Sequence, residues 1–307
     1  MSNIIIKLIK QPGKIFYGFQ KLGLMDWMSD EDYIKFSYRM IFGRKLDLDN
    51  PQAYTEKIAW CKLHWRSELA ATCTDKYLVR RYIEEKLGDD SKKYLNEVYG
   101  VLENVKQIDI ENLPEKFVIR PTNGTGDVVI CEDKKNFNWE KEKMKLLKNR
   151  NNNFAKLTKE WVYYNLSQKF LVEKYIESSD GQSIRDYKFY CFHGIPKFLC
   201  VCSERNIKLK LNYYDLEWNP LDVIDKRDRL ISVPKPDMFD EMIELAKILS
   251  QDFPHVRVDL YQENGSIYFG ELTFFDAGGF AAFQPDEYDY IFGKYFDINK
   301  IPKNELV

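Results

Sequence analysis

Residues 256–274, VRVDLYQENGSIYFGELTF, contain the most regular pattern in the chain. On both sides of Asn264-Gly265, apolar residues alternate with polar or charged ones, which predicts two β-strands joined by a turn. In a strand, successive side chains point to opposite faces of the sheet. The first strand therefore presents Arg257 and Asp259 on one face and only apolar side chains on the other.

The register of this hairpin decides whether its charged residues meet across the two strands. A two-residue turn at Asn264-Gly265 pairs Asp259 with Gly270 and leaves Glu271 on the opposite face. A three- or five-residue loop pairs Arg257 with Glu271, and it makes Asp259 and Glu271 diagonal neighbours on one face. We predict the longer loop. Two carboxylates so placed suit Mg²⁺, and an adjacent arginine suits a transferring phosphoryl group, although an Arg–Glu salt bridge explains the same pattern.

A second pattern lies upstream, where a glycine-containing loop, TNGTG at 122–126, separates two predicted short strands at 117–120 and 127–131. Glycine lets backbone N–H groups approach phosphate oxygens closely, so this loop is a candidate phosphate site. Its candidate residues are Arg120, Asn123, Gly124, Thr125 and Gly126. The loop is not a Walker A motif, because no Gly-Lys-Ser/Thr follows, and NGTG is also a good hairpin turn.

A third pattern is LVEKYIE at 171–177, a predicted strand with a carboxylate near its end. Glu173 and the backbone near Tyr175 suit the amine and ring edge of an adenine, and Asp180, a short loop away, suits ribose hydroxyls. A strand that leaves the core with solvated charges has the same pattern. The motif alone therefore leaves both interpretations open.

The predicted elements follow the order helices, strand–loop–strand, helix and a strand-rich half, which is an α+β arrangement. Helices are predicted over 31–42, 54–65, 75–87, most of 138–170, and 239–249. Further strands are predicted at 187–192 and 197–202. We expect a helical region over 1–74 and a main domain over 75–302, with a lid-like insertion at about 115–170.

The composition excludes several classes of protein. The 307 residues are 44% hydrophobic and 31% charged, which is typical of a globular chain and not of a disordered one. The formal net charge of -2 argues against general binding to nucleic acid. The six cysteines contain no CxxC pair and only three histidines occur, so we expect reduced, buried thiols in a cytoplasmic protein and no zinc site.

The first 25 residues combine lysines with apolar side chains. No run of about 18 apolar residues occurs, so a transmembrane helix is not predicted. Pro12-Gly13 interrupts the apolar stretch, which argues against a signal peptide. Four lysines precede the first acidic residue: Lys7, Lys10, Lys14 and Lys21. This pattern is consistent with peripheral contact at the inner face of a membrane, and also with a helix packed on the protein's own body.

Together the three motifs form an ordered set of phosphate loop, adenine clamp and metal carboxylates. The chain resembles the TupA-like branch of the ATP-grasp superfamily, which is associated with bacterial teichuronopeptide and surface-polysaccharide synthesis. The resemblance covers nearly the whole chain. It rests on the stretches NPQAYTEKI (50–58), DKYLVRRYI (75–83), FVIRPTNGTGDVVI (117–130), DYKFYCFHGIPKFL (186–199) and RVDLYQENGSIYFGELTF (257–274).

The resemblance implies an ATP-grasp fold, in which two α+β lobes hold ATP between them. By this analogy Glu173 and the backbone near Tyr175 hold adenine, and Asp180 holds ribose. Lys188 would approach the phosphates.

The same analogy implies Mg²⁺ as a second ligand. Asp259 and Glu271 would bind the metal, with Thr273 at the position of a third ligand, and Arg257 would lie at the transferring phosphate. Most ATP-grasp enzymes join a carboxylate to an amine through an acylphosphate. We therefore expect an ATP- and Mg²⁺-dependent ligase whose substrates are small molecules or polysaccharide precursors, such as a uronic acid and an amino acid.

Other functions stay open at this point. A phosphotransferase or a glycosyltransferase of the same pathway is one alternative. Arg120 replaces the lysine that is usual in the family, and Asp127 adds a negative charge beside the expected phosphates. These departures keep a non-catalytic nucleotide-binding scaffold as another alternative.

Overall fold

The computed structural model describes residues 23–307, apart from 125–127, 150–153, 180, 182 and 225–226. The chain divides into two units. The first unit consists of Met1–Ser67, Asn153–Trp161 and Phe275–Val307, and the second consists of Glu68–Asn152 and Val162–Phe274. The domain bounds expected from the sequence, 1–74 and 75–302 with a lid at about 115–170, stay a prediction.

The secondary-structure elements are numbered here in chain order. The helices are α1 (Asp30–Phe42), α2 (Tyr54–His64), α3 (Glu68–Thr74), α4 (Val79–Leu87), α5 (Trp139–Asn149), α6 (Phe154–Thr158), α7 (Phe239–Ser250) and α8 (Glu287–Gly293). The strands are β1 (Val98–Leu102), β2 (Phe117–Pro121), β3 (Val129–Cys131), β4 (Phe170–Lys174), β5 (Asp186–Phe192), β6 (Ile195–Ser203), β7 (Lys210–Tyr214), β8 (His255–Glu263) and β9 (Ser266–Thr273).

Helix α1 of the first unit begins and ends where its sequence predicts. The Ser29 hydroxyl accepts a hydrogen bond from the Asp32 backbone N–H at 3.1 Å, which satisfies one of the free donors of the first turn. Gly43 ends the helix in the left-handed conformation, with φ of 71°. Glycine adopts this conformation without a steric penalty, so the predicted helix end at Phe42-Gly43 is confirmed.

A buried carboxylate connects two helices of the first unit. Asp289 on α8 accepts hydrogen bonds from the backbone N–H (2.9 Å) and the hydroxyl (2.6 Å) of Thr55 on α2. It also accepts from the Arg44 guanidinium. The charge of Asp289 is therefore compensated inside this unit, where an isolated buried carboxylate would be costly.

Five antiparallel strands form the main sheet of the second unit, in the order β7-β6-β5-β8-β9. Phe189, Val258 and Leu272 lie opposite one another in register and are buried. Helix α7 covers this apolar face, where Phe239 lies 6.0 Å from the Phe189 ring. Because side chains alternate along each strand, the neighbouring charged residues point to the other face.

The hairpin of β8 and β9 corrects the predicted register. Glu263 pairs with Ser266, so the turn at Asn264-Gly265 has two residues and the predicted longer loop is wrong. A β-bulge between Asp259 and Leu260 then shifts the register, and Asp259 lies directly opposite Glu271. The two carboxylates therefore share a face, as predicted, but as a direct pair and not as diagonal neighbours.

Gly270 makes this bulge sterically possible. A Cβ atom at this position would lie 2.9 Å from the Tyr261 ring and 3.0 Å from the Asp259 carbonyl oxygen. Only glycine avoids both contacts without a shift of the neighbouring strand. The sequence pattern FGEL thus encodes the register change, although strand alternation alone does not reveal it.

The smaller sheet of the second unit has the order β1-β4-β2-β3, with antiparallel neighbours. Its core combines strand residues such as Phe117, Ile119 and Val172 with Leu146 of α5. Residues 138–170 are less helical than predicted, because among the described residues only α5, α6 and a 3₁₀ turn at Trp161–Tyr163 are helical.

Two further expectations concern cysteines and membranes. All six cysteines are free and buried, which confirms buried thiols. In the part of the chain that the structure describes, no helix has the length and apolar character needed to span a membrane. Most of the basic segment 1–25 lies outside the described residues.

Candidate functional site

A cavity of about 500 Å³ lies within the second unit. Its volume is in the range typical of small-molecule sites. Apolar side chains border one part of it: Val128, Ile130, Ile176 and Ile184. Charged side chains also border it: Lys76, Arg120, Glu132, Asp186, Lys188, Arg205, Asp259 and Glu271. Such a lining suits a ligand with an apolar body and a charged end that carries groups of both signs.

The charged face of β5 and β8 centres on Asp259. The Arg257 guanidinium donates to both carboxylate oxygens of Asp259, each at 2.7 Å. Lys188 lies opposite Asp259 in the β5–β8 register and donates to its Oδ2. The Lys188 amine also lies 3.1 Å from Asp186 Oδ2. Both buried cations therefore have a carboxylate partner, as a buried charge requires.

Glu271 extends this network on β9. Its Oε1 accepts from the Thr273 hydroxyl at 3.2 Å and lies 3.4 Å from Arg257 Nη2. Its Oε2 lies 3.2 Å from the Lys76 amine. The Glu271 side chain is 31% exposed, whereas that of Asp259 is 1% exposed. Glu271 is thus the carboxylate of this pair that is more accessible to a ligand.

The surrounding charges shift the pKa values of Glu271 and Lys188. Burial would raise the pKa of Glu271, but Lys76, Lys188 and Arg257 outweigh it and hold the pKa well below its usual range. Burial and Arg257 would lower the pKa of Lys188, but Asp186 and Asp259 outweigh them and hold it above its usual value. Glu271 is therefore ionised and Lys188 is protonated at neutral pH.

The donor set of Asp259 and Glu271 fits Mg²⁺ when a nucleotide is present. No group of three or more His, Cys, Asp or Glu side chains in the described chain is arranged to hold a metal ion. Mg²⁺ typically takes one or two carboxylates and completes its shell with phosphate oxygens and water. The two facing carboxylates supply that number, and Thr273 lies beside Glu271.

Arg120 and Glu173, predicted for phosphate and adenine, contact each other in the structure. They lie on the adjacent strands β2 and β4, and Arg120 Nε donates to Glu173 Oε2 at 2.7 Å. Arg120 borders the cavity, but Glu173 does not. The Glu173 carboxylate therefore compensates the Arg120 charge, a contact that the sequence did not predict.

The remaining predicted nucleotide residues divide into three groups. Gly124 and Tyr175 border the cavity. Asn123 is buried and donates to the Leu166 carbonyl oxygen at 3.4 Å. Thr125, Gly126 and Asp180 lie outside the described residues.

Four charged residues of the cavity were missed by the sequence motifs: Lys76, Glu132, Asp186 and Arg205. Lys76 precedes α4, and its amine also donates to the Gly124 carbonyl oxygen at 3.2 Å. Asp186 is two residues from Lys188, so strand alternation places both on one face and is a signal that was available. Arg205 follows β6 in a loop, and no local pattern distinguishes it from a solvated arginine.

Comparison with known families identifies the family of this fold. The family model described as TupA-like ATPgrasp matches residues 56–297. The chain therefore belongs to the TupA-like ATP-grasp family. Membership confirms the predicted ATP-grasp fold. The activity of this chain is a proposal.

Similar solved structures include D-alanine–D-alanine ligases and another ATP-grasp ligase. The Bacillus anthracis ligase is 16% identical with a TM-score of 0.39, over 68% of this chain and 59% of that one. The Helicobacter pylori ligase is 15% identical with a TM-score of 0.42, and the match covers 80% of this chain and 70% of that one. The ligase PsnB, solved with its minimal precursor, is 9% identical with a TM-score of 0.36, and the match covers 68% of this chain and 55% of that one.

This chain spans less than two thirds of the Bacillus anthracis ligase. No curated protein matches the sequence.

Proposed function

We propose that this protein is an ATP- and Mg²⁺-dependent ligase that joins a carboxylate to an amine through an acylphosphate. The observation that supports it best is that Lys76, Lys188, Asp259 and Glu271 border one cavity and contact one another. Arg257 pairs with both carboxylates but does not itself border the cavity. Three cations around two facing carboxylates suit a triphosphate with its metal ion. The cations compensate the phosphate charge, and the carboxylates compensate the charge of the metal ion.

The cations provide electrostatic stabilisation of phosphoryl transfer. Lys76 and Lys188 neutralise phosphate oxygens of ATP, and Arg257 stabilises charge on the transferring group. Asp259 and Glu271 would hold Mg²⁺, which neutralises phosphate charge when bound. The existing ion pairs hold these side chains together before the nucleotide binds. Both Asp259 oxygens accept from Arg257 or Lys188, so metal binding there would require one of these contacts to give way.

The reaction then has two steps. A carboxylate oxygen of the acid attacks the γ-phosphorus, and the bond to the ADP oxygen breaks. The amine nitrogen next attacks the carbonyl carbon of the acylphosphate, the C–O bond to phosphate breaks, and the nitrogen loses a proton to solvent. The first step is necessary because a free carboxylate is a poor electrophile, whereas phosphate is a good leaving group.

The substrate proposal rests on the family. We infer that the acid is a uronic acid or a related unit of a bacterial surface polysaccharide and that the amine is an amino acid or a similar small molecule. Association of the family with teichuronopeptide and surface-polysaccharide synthesis supports this choice. A screen of uronic acids against amino acids for ADP release tests it directly.

Nucleotide binding is tested first by thermal shift with and without Mg²⁺-ATP. A ligand at about a hundred times its Kd adds about 2.7 kcal/mol of stability, which is readily measured. Asp259→Asn should lose the Mg²⁺-dependent part of the shift, whereas the exposed control Asp240→Asn should keep it. No shift at millimolar Mg²⁺-ATP would contradict the proposed function.

The chemical step is tested by trapping with hydroxylamine. An acylphosphate gives a hydroxamate, whereas a phosphate ester formed by a phosphotransferase does not. A strict requirement for a nucleotide sugar would favour a glycosyltransferase. Acceptor-dependent ADP release would exclude a non-catalytic scaffold.

We also propose that the basic segment 1–25 brings a cytoplasmic enzyme to the inner face of a membrane. The four lysines interspersed with apolar residues support this proposal. Deletion of residues 1–22 should abolish binding to anionic vesicles and leave nucleotide binding unchanged. Equal vesicle binding by the deletion variant would refute it.

A further inference from the structure

Two cysteines lie on the charged face of the main sheet, one strand away from the cavity. Cys200 and Cys202 are alternate residues of β6, so their side chains share one face of the strand. Cys200 lies opposite Lys188 and Cys202 lies opposite Asp186, and both partners border the cavity. Directly paired residues point to the same side of a sheet, and neighbouring strands are about 4.8 Å apart. The two thiols therefore lie beside the cavity wall.

The two thiols contact each other and have a cation nearby. A side-chain hydrogen bond from Cys200 lowers the pKa of Cys202, and Lys188 and Arg205 lower it further, so that burial is outweighed. Burial raises the pKa of four other thiols, those of Cys61, Cys73, Cys131 and Cys191. Cys202 thus gives up its proton more readily than these thiols, and the thiolate is the form that binds metal ions.

The strand geometry argues against a disulfide between these two cysteines. Alternate residues of a strand are about 6.6 Å apart, and Cβ atoms on one face of the strand keep about this spacing. A disulfide requires Cβ atoms that are about 3.5–4.5 Å apart. Both cysteines are free in the structure. Cross-linking Cys200 to Cys202 would therefore require a distorted strand in the middle of the sheet.

A metal ion with two ligands bridges a longer gap than a disulfide does. A metal–thiolate bond is about 2.3 Å long, so a linear sulfur–metal–sulfur unit spans about 4.6 Å. The sulfurs of Cys200 and Cys202 already lie within hydrogen-bond contact, so small side-chain rotations provide this span. Zinc favours four ligands, and no set of three or more His, Cys, Asp or Glu in the described residues is arranged for a metal. Two soft thiolates instead suit Cu(I).

Binding of Cu(I) changes the charge beside the cavity. Two S–H bonds break, two S–Cu bonds form and two protons go to solvent, so two neutral thiols and one Cu⁺ give a unit of charge -1. Lys188, opposite Cys200, compensates this charge. The same lysine pairs with Asp259 and borders the cavity. A new negative charge at this place competes for Lys188 and repels phosphate oxygens.

We propose that Cys200 and Cys202 form a binding site for the soft monovalent ion Cu(I), and that occupancy of this site weakens the binding of Mg²⁺-ATP at the neighbouring cavity. The metal site goes beyond the proposed function and does not depend on it, because it follows from the geometry of β6. Only the effect on ATP rests on the proposed function.

Competition with the chelator bicinchoninate, in the presence of ascorbate, measures the affinity for Cu(I). The wild-type protein should bind one ion per chain, and more tightly at higher pH, because two protons leave. Cys200→Ser and Cys202→Ser should each weaken binding by more than about a hundredfold, since loss of an outer-shell group alone costs about 10- to 100-fold. Cys131→Ser, at a buried cysteine of the smaller sheet, is the matched control with unchanged affinity.

The effect on the nucleotide is measured by calorimetry of Mg²⁺-ATP binding with and without one equivalent of Ag(I). Ag(I) also binds thiolates and keeps its oxidation state, and a chloride-free buffer keeps it in solution. Ag(I) should raise the Kd of Mg²⁺-ATP about tenfold, a coupling of ordinary size between two sites. The variant that combines Cys200→Ser and Cys202→Ser should bind Mg²⁺-ATP as the wild type does, with or without Ag(I).

Several results would overturn the inference. Equal Cu(I) affinity of the double variant and the wild type would place the metal elsewhere. Loss of binding in only one of the two single variants would refute a site built from the pair. A Cys200–Cys202 disulfide after exposure to air, without Cu(I) affinity after reduction, would assign the pair to redox chemistry. An unchanged Kd for Mg²⁺-ATP with Ag(I) bound would refute the coupling.

Failure of this inference is distinguishable from failure of the proposed function. Absence of Mg²⁺-ATP binding by the metal-free protein would refute the proposed function, whereas Cu(I) binding by Cys200 and Cys202 would still support the metal site. Absence of Cu(I) binding together with normal Mg²⁺-ATP binding would refute the metal site alone.

Discussion

Each unit of this protein contains a buried lysine beside a carboxylate, and the two arrangements differ in how the charges are compensated. In the first unit, Lys62 donates to the carbonyl oxygens of Thr158 (2.7 Å) and Gly278, while Glu160 is its acidic neighbour. Oε1 of Glu160 accepts no hydrogen bond from the described residues. In the second unit, Lys188 contacts two carboxylates directly.

The pKa values follow this difference. Burial raises the pKa of Glu160 to about 7, and Lys62 opposes the rise without cancelling it. Burial lowers the pKa of Lys62 to about 8, with Glu160 opposing. At Glu271 the three surrounding cations outweigh burial and lower the pKa. At the fully buried Asp259, by contrast, burial raises the pKa although Arg257 and Lys188 contact it directly. The comparison teaches that the balance between burial and opposite charges decides which form of a buried group persists.

The largest effect is expected from removing the charge of Asp259, the carboxylate between Arg257 and Lys188 in the second unit. Asp259→Asn leaves Arg257 and Lys188 without their main partner, and breaking a buried ion pair costs about 3–5 kcal/mol. Turnover should fall at least about a hundredfold, because the phosphate-binding cations lose their orientation. Urea unfolding and ADP release measure the two effects. A variant as stable and as active as the wild type would show that Asp259 is not the centre of this network.

A smaller, pH-dependent effect is expected in the first unit. The folded state holds a proton on Glu160 more tightly than the unfolded state, whose pKa is near 4.5, so its contribution to stability is lost as pH rises from about 4.5 to about 7. Glu160→Gln removes this loss. The variant should equal the wild type near pH 4.5 and exceed it by up to about 3 kcal/mol near pH 7.5.

Denaturant unfolding at several pH values measures this difference. Glu140→Gln, at a side chain that is 76% exposed, is the control and should show no such trend. A constant difference between Glu160→Gln and the wild type across pH 4.5–7.5 would contradict the assignment.

The bulge at Gly270 offers a way to disturb the pair of Asp259 and Glu271 without removing a charge. Gly270→Ala places a methyl group against the Tyr261 ring and the Asp259 carbonyl, and overpacking of this kind costs about 1–3 kcal/mol. The shift should also separate Glu271 from Asp259 and weaken Mg²⁺-ATP binding. Gly100→Ala is the matched control, because its Cβ meets no atom within 4 Å. Equal stability of the two variants would refute the steric account.

The smallest effect is expected at a solvent-exposed pair. Arg81 and Glu85 on α4 are 2.9 Å apart, with side chains that are 83% and 60% exposed. Solvent screens such pairs, so Glu85→Gln should change the free energy of unfolding by less than about 0.5 kcal/mol. A loss above 1 kcal/mol in thermal or urea unfolding would show that this pair is part of a larger network.

Elements with regular patterns were predicted well from the sequence. The strands β5, β6, β8 and β9 and the helices α1, α2 and α7 lie where their alternation or caps indicate. Strands β1 and β7 and helix α8 were not predicted, and helix α3 was covered only by the expected helical region over 1–74. Strand β1, VYGVL, is half-buried at every position and contains a glycine, so neither alternation nor a buried run identifies it.

The site was predicted unevenly for a physical reason. Arg257 and Asp259 share a face because strand alternation is a local property, so the sequence could group them. With the two-residue turn, Glu271 joins this face only through a bulge, which is a steric event between two strands. The contact of Arg120 with Glu173 depends in turn on the pairing of β2 with β4, which lie 53 residues apart at this point.

By itself the sequence determined the family, the α+β order of elements and the charged face of β8, because these depend on patterns within short stretches of chain. Only the tertiary structure decided which charges compensate one another. Lys76, Asp186 and Arg205 come from three distant segments, and they join the cavity through strand pairing and loop packing. Electrostatic energy depends on distances through space, and those distances exist only once the chain has folded.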